Sequence, residues 1–437
     1  MAKASDSLRF GDVAEFRNGL NFAKSSRGKG CALIGVPDFQ NRFTPNYDEL
    51  AEIDPTGIVK PEDYVKKGDI LFVRSNGNKE LVGRSLLIDR EFTALFSGFC
   101  IRARIHSEKF DPVFCAYFTK TATFRSSISG HVGTSINNLN QGILGDIALP
   151  PFSLSDQKAI VSVLSALDAK IELNQRMNEE LEGMAKLLYD YWFVQFDFPM
   201  NAAQAAALGM PQLAGKPYRA SGGRMVYNEY LKRNAPEGWN LNMLGDIVES
   251  ISTGLNPRKH FTLGSGSNFY VTIKSIEHGK LLLDSKCDRI DDSALSRIDQ
   301  RSNLRPGDIL FTSIEPVGRL YLIQETPKNW NINESLFSIR PNREKVNSSY
   351  LYYLLSSHDC KGYCKKVSTG SIHQGIRIAA LRDYTFALPE KQLLEAYSII
   401  CEPLLKQVHT LNKQNEELAQ LRDWLLPMLM NGQVSVG

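Results

Sequence analysis

Few residues of this chain have the spacing that catalysis or metal binding needs. His358, Cys360 and Cys364 offer partial metal ligands, but Cys/His groups at irregular spacing are more often structural, and no CxxC pair occurs. Asp168-Ala-Lys170 and Asp284-Ser-Lys286 each resemble the tail of a nuclease-like Asp-x-Lys. Asp168 falls beside an apolar helical seam, and Asp284 has no identifiable acidic partner. The sequence holds no GxxxxGK(S/T) phosphate loop, no GxGxxG, no HExxH and no Asn-Pro-Pro-Tyr-like tetrapeptide. The seven histidines are scattered. These absences shift the weight from catalysis toward binding.

The elements that must position any binding residues are written twice. Lys66-Lys-Gly-Asp-Ile-Leu-Phe-Val-Arg-Ser75 is echoed, 239 residues on, by Arg305-Pro-Gly-Asp-Ile-Leu-Phe-Thr-Ser-Ile314. Gly11-Asp12 returns as Gly245-Asp246, Asn18-Gly-Leu-Asn21 as Thr253-Gly-Leu-Asn256, and Gly83-Arg84 as Gly318-Arg319. Ser135-Ile136, Leu149-Pro150 and Asn178-Glu-Glu-Leu181 return as Ser371-Ile372, Leu388-Pro389 and Asn415-Glu-Glu-Leu418. Collinear matches at nearly constant offset mean a tandem duplication. Ile70–Val73 and Ile309–Thr312 are short apolar runs entered through Gly-Asp and read as buried strands. The loop after each strand differs in length and content: Arg74-Ser-Asn-Gly-Asn-Lys79 stands against Ser313-Ile-Glu-Pro316. Two related readers of different ligands would differ in this way, and so would neutral drift in a surface loop.

Composition sets outer limits. A chain of 437 residues holds about three domain-sized pieces. No apolar run approaches the roughly 18 residues of a membrane span, and MAKASDSLRF has no signal-peptide core. Seven cysteines, an odd number, fit reduced thiols and a cytoplasmic location. A net charge of +3 permits nucleic-acid binding without arguing for it.

Each module should end in a long helix. After Pro150-Pro151, Ser153 or Ser155 is an N-cap candidate. Leu164, Leu167, Ile171, Asn174, Asn178, Leu181, Ala185, Leu188 and Trp192 then alternate spacings of three and four, an a/d heptad seam. The second copy keeps phase through Leu404, Val408, Leu411, Asn415, Leu418, Arg422, Leu425 and Leu429. Asn178 and Asn415 occupy the same repeat position, where a buried polar group would set register. Pro403 predicts a kink or a break in the second helix. Residues 195–236, rich in Ala, Gly, Pro and Ser, read as an exposed linker, and Pro236-Glu-Gly-Trp239 opens the second globular part.

In this order and in duplicate, the GDILF-loop-GR block, the Leu-Pro step and the Tyr191-Trp-Phe-Val-Gln-Phe-Asp197 helix exit resemble the specificity subunit of Type I restriction–modification systems. Gly215–Arg224 and Pro236-Glu-Gly-Trp239 add to the resemblance, which spans nearly the whole chain. The first copy departs from it in lacking a Pro-x-Gly-Trp before Leu8-Arg-Phe-Gly11. The resemblance implies an α+β chain with two homologous mixed α/β target recognition domains, residues 1–151 and 237–389. Two long antiparallel helices, 152–194 and 390–432, would form a coiled coil between them in a pseudo-two-fold arrangement. Each domain would read one half of a split, asymmetric site in double-stranded DNA, and the helices would set the gap. Two methylation subunits would dock on the helices, holding S-adenosylmethionine for adenine N6-methylation, and two ATP-driven restriction subunits can join them. The chain itself would be non-catalytic and hold no cofactor or metal.

The candidate DNA contacts lie in the divergent polar loops. Arg74, Ser75, Asn76, Asn78 and Lys79, with Ser313 and Glu315 in the second copy, carry the donors and acceptors that read base edges. Lys24, Arg27 and Lys29, matched with Arg258, Lys259 and His260, suit phosphates or an ordinary solvated surface. Arg84 and Arg319 follow glycines and suit either structure or phosphate. Ser135, Asn137, Asn138 and Gln141, with Ser371, His373 and Gln374, form a second patch. Two other readings stand beside this one: a coiled-coil scaffold with peptide-binding domains, and an unrecognised nuclease.

Overall fold

The structure, a computed structural model, describes residues 8–23, 26–40, 42–56, 59–129, 138–369 and 374–436, without the side chains of Lys29 and Lys259. It divides into two units, one of residues 1–173 with 414–437, the other of residues 174–413.

The first unit holds β1 (Ala14–Asn18), β2 (Arg27–Ile34), β3 (Ala51–Ile53), β4 (Ile70–Val73), β5 (Ser85–Leu87), β6 (Ala94–Phe96) and β7 (Cys100–Ile105). Four strands form an antiparallel sheet in the order β1-β7-β4-β5. Three more form the order β3-β2-β6, in which β2 and β6 run parallel.

In the second unit, β8 (Met225–Asn228) and β9 (Arg233–Pro236) make a hairpin, and β10 (Asn240–Met243) opens the globular part. Then come β11 (Val248–Thr253), β12 (Asn268–Val271), β13 (Ile276–Glu277), β14 (Lys280–Leu281), β15 (Asp288–Ile290) and β16 (Ile309–Thr312). The last are β17 (Leu320–Leu322), β18 (Trp330–Ile332), β19 (Leu336–Pro341) and β20 (Thr385–Leu388), which pairs with β10. The orders β11-β19-β16-β17 and β15-β12-β18 repeat the topology of the first unit. The parallel pair recurs as β12 with β18. The duplication is therefore one of fold as well as of sequence.

The repeated phrase is scaffold, and its residues show why. Gly68 and Gly307 adopt φ of +90° and +93°, a region open to glycine and strained for other residues. The Asp69 carboxylate accepts from the Lys66 backbone N–H at 2.7 Å and from Arg104 Nε and Nη2, both at 2.7 Å. Asp308 repeats this with the Arg305 N–H at 2.8 Å and with Arg340 at 2.8 and 2.7 Å. Both carboxylates are about 1 % exposed, and a buried charge of this kind persists when it is paired and hydrogen-bonded. The hydrogen bond to the partner carboxylate raises the pKa of each arginine further. The next four residues, in β4 and in β16, are fully buried, so their apolar runs lack the alternation of a one-sided strand.

The first long helix runs Leu154–Tyr189 and closes in a π turn, Asp190–Val194. Ser153 begins it: its hydroxyl accepts from the Asp156 N–H at 3.2 Å and donates to the Asp156 carboxylate at 2.7 Å. The second long helix runs Lys391–Met430, so of the kink or break expected at Pro403 the break does not occur. The carbonyl that Pro403 leaves without its helical donor belongs to Ile399, which is 76 % exposed, so water can serve it.

Within each unit the two helices pack antiparallel through the predicted seam. In the first unit Leu164 and Ile160 join Leu426, Leu429 and Met430 in one buried cluster, with Leu425 against it. In the second unit Ala185, Tyr189 and Trp192 pack with Tyr397, Cys401 and Leu405, with Leu188 and Leu404 alongside. Val408 and Leu411 are buried, while Leu167, Ile171, Leu181 and Leu418 are half-buried. Asn178 Nδ2 donates to Asn412 Oδ1 at 2.9 Å inside the second unit. Asn415 Nδ2 donates instead to the Ile171 carbonyl at 3.3 Å inside the first. The seam residue Arg422 donates to Asp168 at 2.8 Å, and Tyr117 donates to the other oxygen of that carboxylate at 2.6 Å. Asp168 is thus a strut between the globular part and both helices.

The stretch 195–236 is a packed part of the second unit, not an exposed linker. Phe196, Phe198, Met200, Ala205 and Tyr218 are buried and share a cluster with Trp239. Phe198 stacks on Tyr218 and Trp239 at centroid distances of 4.6 and 5.5 Å. Phe196 takes φ +64° at the helix exit, where a glycine is usual, and its ring meets Trp239 edge-on at 5.4 Å.

Candidate nucleic-acid interface

In each copy one short turn gathers the candidate loops. In the first unit it is Ser97-Gly98-Phe99, between β6 and β7. Gly98 N–H donates to the Leu20 carbonyl at 2.7 Å, and Leu20 N–H to the Phe96 carbonyl at 3.1 Å, which ties down the loop after β1. Arg74 N–H donates to the Phe99 carbonyl at 2.7 Å, which ties down the loop after β4. Leu139 N–H donates to the Arg74 carbonyl at 2.8 Å, and Ser75 bridges Asn138, which adds the second polar patch. Three segments far apart in sequence thereby meet.

The second unit rebuilds this junction around Asn333-Glu334-Ser335. Gly254 N–H donates to the Asn333 carbonyl at 3.1 Å, and Ser313 N–H to the Ser335 carbonyl at 2.9 Å. Ile376 N–H donates to the Ser313 carbonyl at 2.8 Å, and Glu315 N–H to the Gln374 carbonyl at 3.0 Å. The bonds of Ser313 and Ile376 match those of Arg74 and Leu139, the loop after β1 and its counterpart after β11 are tied by different bonds, and the side chains on display differ. Sequence reasoning missed both turns, because Phe96-Ser-Gly-Phe-Cys100 and Ile332-Asn-Glu-Ser-Leu336 agree at no position.

The individual candidates fare differently. Asn78 and Lys79 are exposed, and Arg74, Ser75 and Asn76 are half-buried. Asn76 and Asn78 each accept a backbone N–H through Oδ1, at 2.8 and 3.0 Å. This leaves their amide nitrogens as the donors on offer. Arg125, which the sequence did not single out, braces the same loop by donating to the Val82 and Glu80 carbonyls, both at 2.8 Å. In the second copy Ser313 is a correction: it is buried, and its hydroxyl donates to the Ser335 carbonyl at 2.8 Å, so it belongs to the frame. Glu315 and Gln374 are exposed beside it.

Arg84 and Arg319 close their loops through backbone bonds to Val73 and Thr312, and their side chains reach the carbonyls of Glu80 at 3.3 Å and Ile276 at 3.2 Å. Arg27 lies exposed on β2, whereas Arg258 and His260 lie exposed on a single helical turn, Pro257–His260, so the two sets are not structural equivalents. Asn138 is exposed and Gln141 half-buried. Lys24, Ser135, Asn137, Ser371 and His373, and the side chains of Lys29 and Lys259, lie outside the described residues. Asp284 accepts a backbone N–H at 2.8 Å in a surface turn. Cys360 and Cys364 are buried free thiols, while His358 is exposed. Among the described residues no helix is long and apolar enough to cross a membrane.

Comparison with known proteins agrees with this duplicated architecture. The family model described as the Type I restriction modification DNA specificity domain matches residues 4–183 and again 236–420. The MjaIX specificity subunit of Methanocaldococcus jannaschii is 25 % identical over 329 residues, 73 % of this chain and 68 % of that protein. The HindI specificity subunit of Haemophilus influenzae is 24 % identical over 422 residues, 85 % of this chain and 87 % of that one. The crystal structure of the Type I S subunit from M. genitalium is 14 % identical, with a TM-score of 0.57 over 98 % of this chain and 97 % of that one, a likeness of fold. With two family matches covering most of its length, and one strand topology built twice, the chain belongs to the Type I restriction–modification DNA specificity family.

Proposed function

We propose that the chain selects the DNA site of a Type I restriction–modification complex, each recognition domain reading one half of a bipartite, asymmetric target. The observation that carries this reading is the junction made twice, on one topology and with two backbone bonds in common, but with two different sets of side chains. A shared frame gives both domains the same approach to DNA. Different side chains, Arg74, Asn76 and Asn78 in one and Glu315 and Gln374 in the other, offer different donors and acceptors to base edges. Half-sites that differ cannot form a palindrome.

The long helices would set the gap and dock two methylation subunits. Met184 and Leu187 of the first helix are 58 % and 65 % exposed. Their repeat equivalents in the second helix, Leu421 and Trp424, are 43 % and 56 % exposed. Equivalent apolar positions left open on both helices suit two copies of one partner. S-adenosylmethionine and ATP would reside on the partner subunits, and the product would be N6-methyladenine in each half-site.

The test is to express the chain with its methylation subunits in a methylation-free bacterium and map modified bases, then to replace residues 74–79 by the corresponding loop of another family member. A split asymmetric motif whose first half alone changes is the expected result. A change confined to the second half would reverse the assignment, and a complex that methylates no motif would overturn the reading.

A further inference from the structure

We propose that Phe99 is a specificity-determining residue of the first recognition domain, making an apolar contact to the C5-methyl group of a thymine in its half-site. The inference rests on the DNA-reading role proposed above. Phe99 is 55 % exposed, and no other described phenylalanine is exposed. It stands at the turn that gathers the three polar segments. That turn is fixed on several sides: the Phe99 carbonyl accepts from Arg74, its N–H donates to Ser97 Oγ at 3.3 Å, and Cys100 N–H donates to the Ser97 carbonyl at 2.8 Å. Asn21 packs so closely on Gly98 that a Cβ there would lie 2.1 Å from its Oδ1.

An exposed aromatic ring on the turn whose backbone holds Arg74, and through Arg74 and Ser75 the segment of Asn138, is well placed for a base. Arginine and asparagine read purines by paired hydrogen bonds, and the one apolar feature of the major groove is the thymine methyl. A ring that is 55 % exposed can cap a methyl group. It projects too little to wedge between base steps, which requires the whole ring. The second copy has Ser335 at this position, its N–H held by Asn333 Oδ1 at 3.1 Å, and a serine offers no apolar ring, so the contact would belong to one half-site only.

The experiment compares the wild-type complex with Phe99→Ser and Phe99→Leu in the methylome assay. Phe99→Ser is expected to relax one thymine of the first half-site, reducing discrimination there about tenfold, within the usual range for one base pair. The second half-site should be unchanged, and Phe99→Leu, which keeps an apolar contact, should retain the thymine. In parallel, the wild-type complex should bind about tenfold more weakly to a duplex carrying deoxyuridine in place of that thymine. A wild-type motif preserved in Phe99→Ser, a uniform loss over all sequences, or indifference to deoxyuridine would each overturn the proposal. Absence of any motif from the wild-type complex would instead sink the reading on which it rests.

Discussion

Asp69 and Asp308 do the same work in two places. Each closes the turn ahead of a fully buried strand and neutralises an arginine from the neighbouring strand. Removing the carboxylate leaves a largely buried guanidinium without its hydrogen-bonded counter-charge, and breaking such a pair costs about 3–5 kcal/mol. Asp69→Ala and Asp308→Ala should each lower stability by roughly that amount in urea denaturation. In a cycle with Arg104→Met, the double variant should be less destabilised than Asp69→Ala alone, because no orphaned charge remains. Equal losses in the single and double variants would mean that Asp69 acts through its backbone cap. The phrase that first revealed the duplication is thus kept by folding physics, and the residues that distinguish the two domains lie one loop further on.

Among the elements, the long helices were readable and the collecting turns were not. A seam at spacings of three and four survives in sequence because each position buries a side chain. The turns Ser97–Phe99 and Asn333–Ser335 hold the neighbouring loops through backbone N–H and carbonyl groups, which every residue carries, and their own caps come from a serine in one and an asparagine in the other, so they leave no shared mark in residue type. The stretch 195–236 misled for a different reason. Its Ala, Gly and Ser content outweighed Phe196, Phe198 and Tyr218, the aromatic residues that anchor it to Trp239. Within the seam, the Asn178–Asn412 pair gives a test of register. Asn178→Leu alone strands the Asn412 amide and should cost about 1–3 kcal/mol. Replacing both by leucine should be near neutral or stabilising, while weakening the selection of one helix alignment. Thermal melts read the first effect, and the spread of gap lengths in the methylome reads the second. A double variant as unstable as the single one would refute a paired role.

For the whole molecule, charge is unevenly placed. Between residues 195 and 235, Lys216, Arg219, Arg224, Lys232 and Arg233 face only Asp197 and Glu229, an excess of three positive charges, equal to the net charge of the chain. The two recognition domains and long helices together are therefore neutral, and non-specific attraction to DNA should depend on the central segment. Lys216, Arg219 and Lys232 are exposed there. Replacing all three by glutamine should leave the methylated motif intact. It should also make the salt dependence of DNA binding shallower by about one in log–log slope for each cation that had touched phosphate. An unchanged slope would place all phosphate contacts elsewhere.

The four tryptophans divide unequally as well. Trp192, Trp239 and Trp330 are buried in the second unit, whereas Trp424 is 56 % exposed on the second long helix in the first. Intrinsic fluorescence is therefore a built-in gauge with two scales. A red shift on denaturation reports almost wholly on the unit around Trp239, and a blue shift under native conditions reports the covering of Trp424. Docking of the methylation subunits as proposed would cover Trp424, so a blue shift of its emission, without DNA, is the optical sign expected of it.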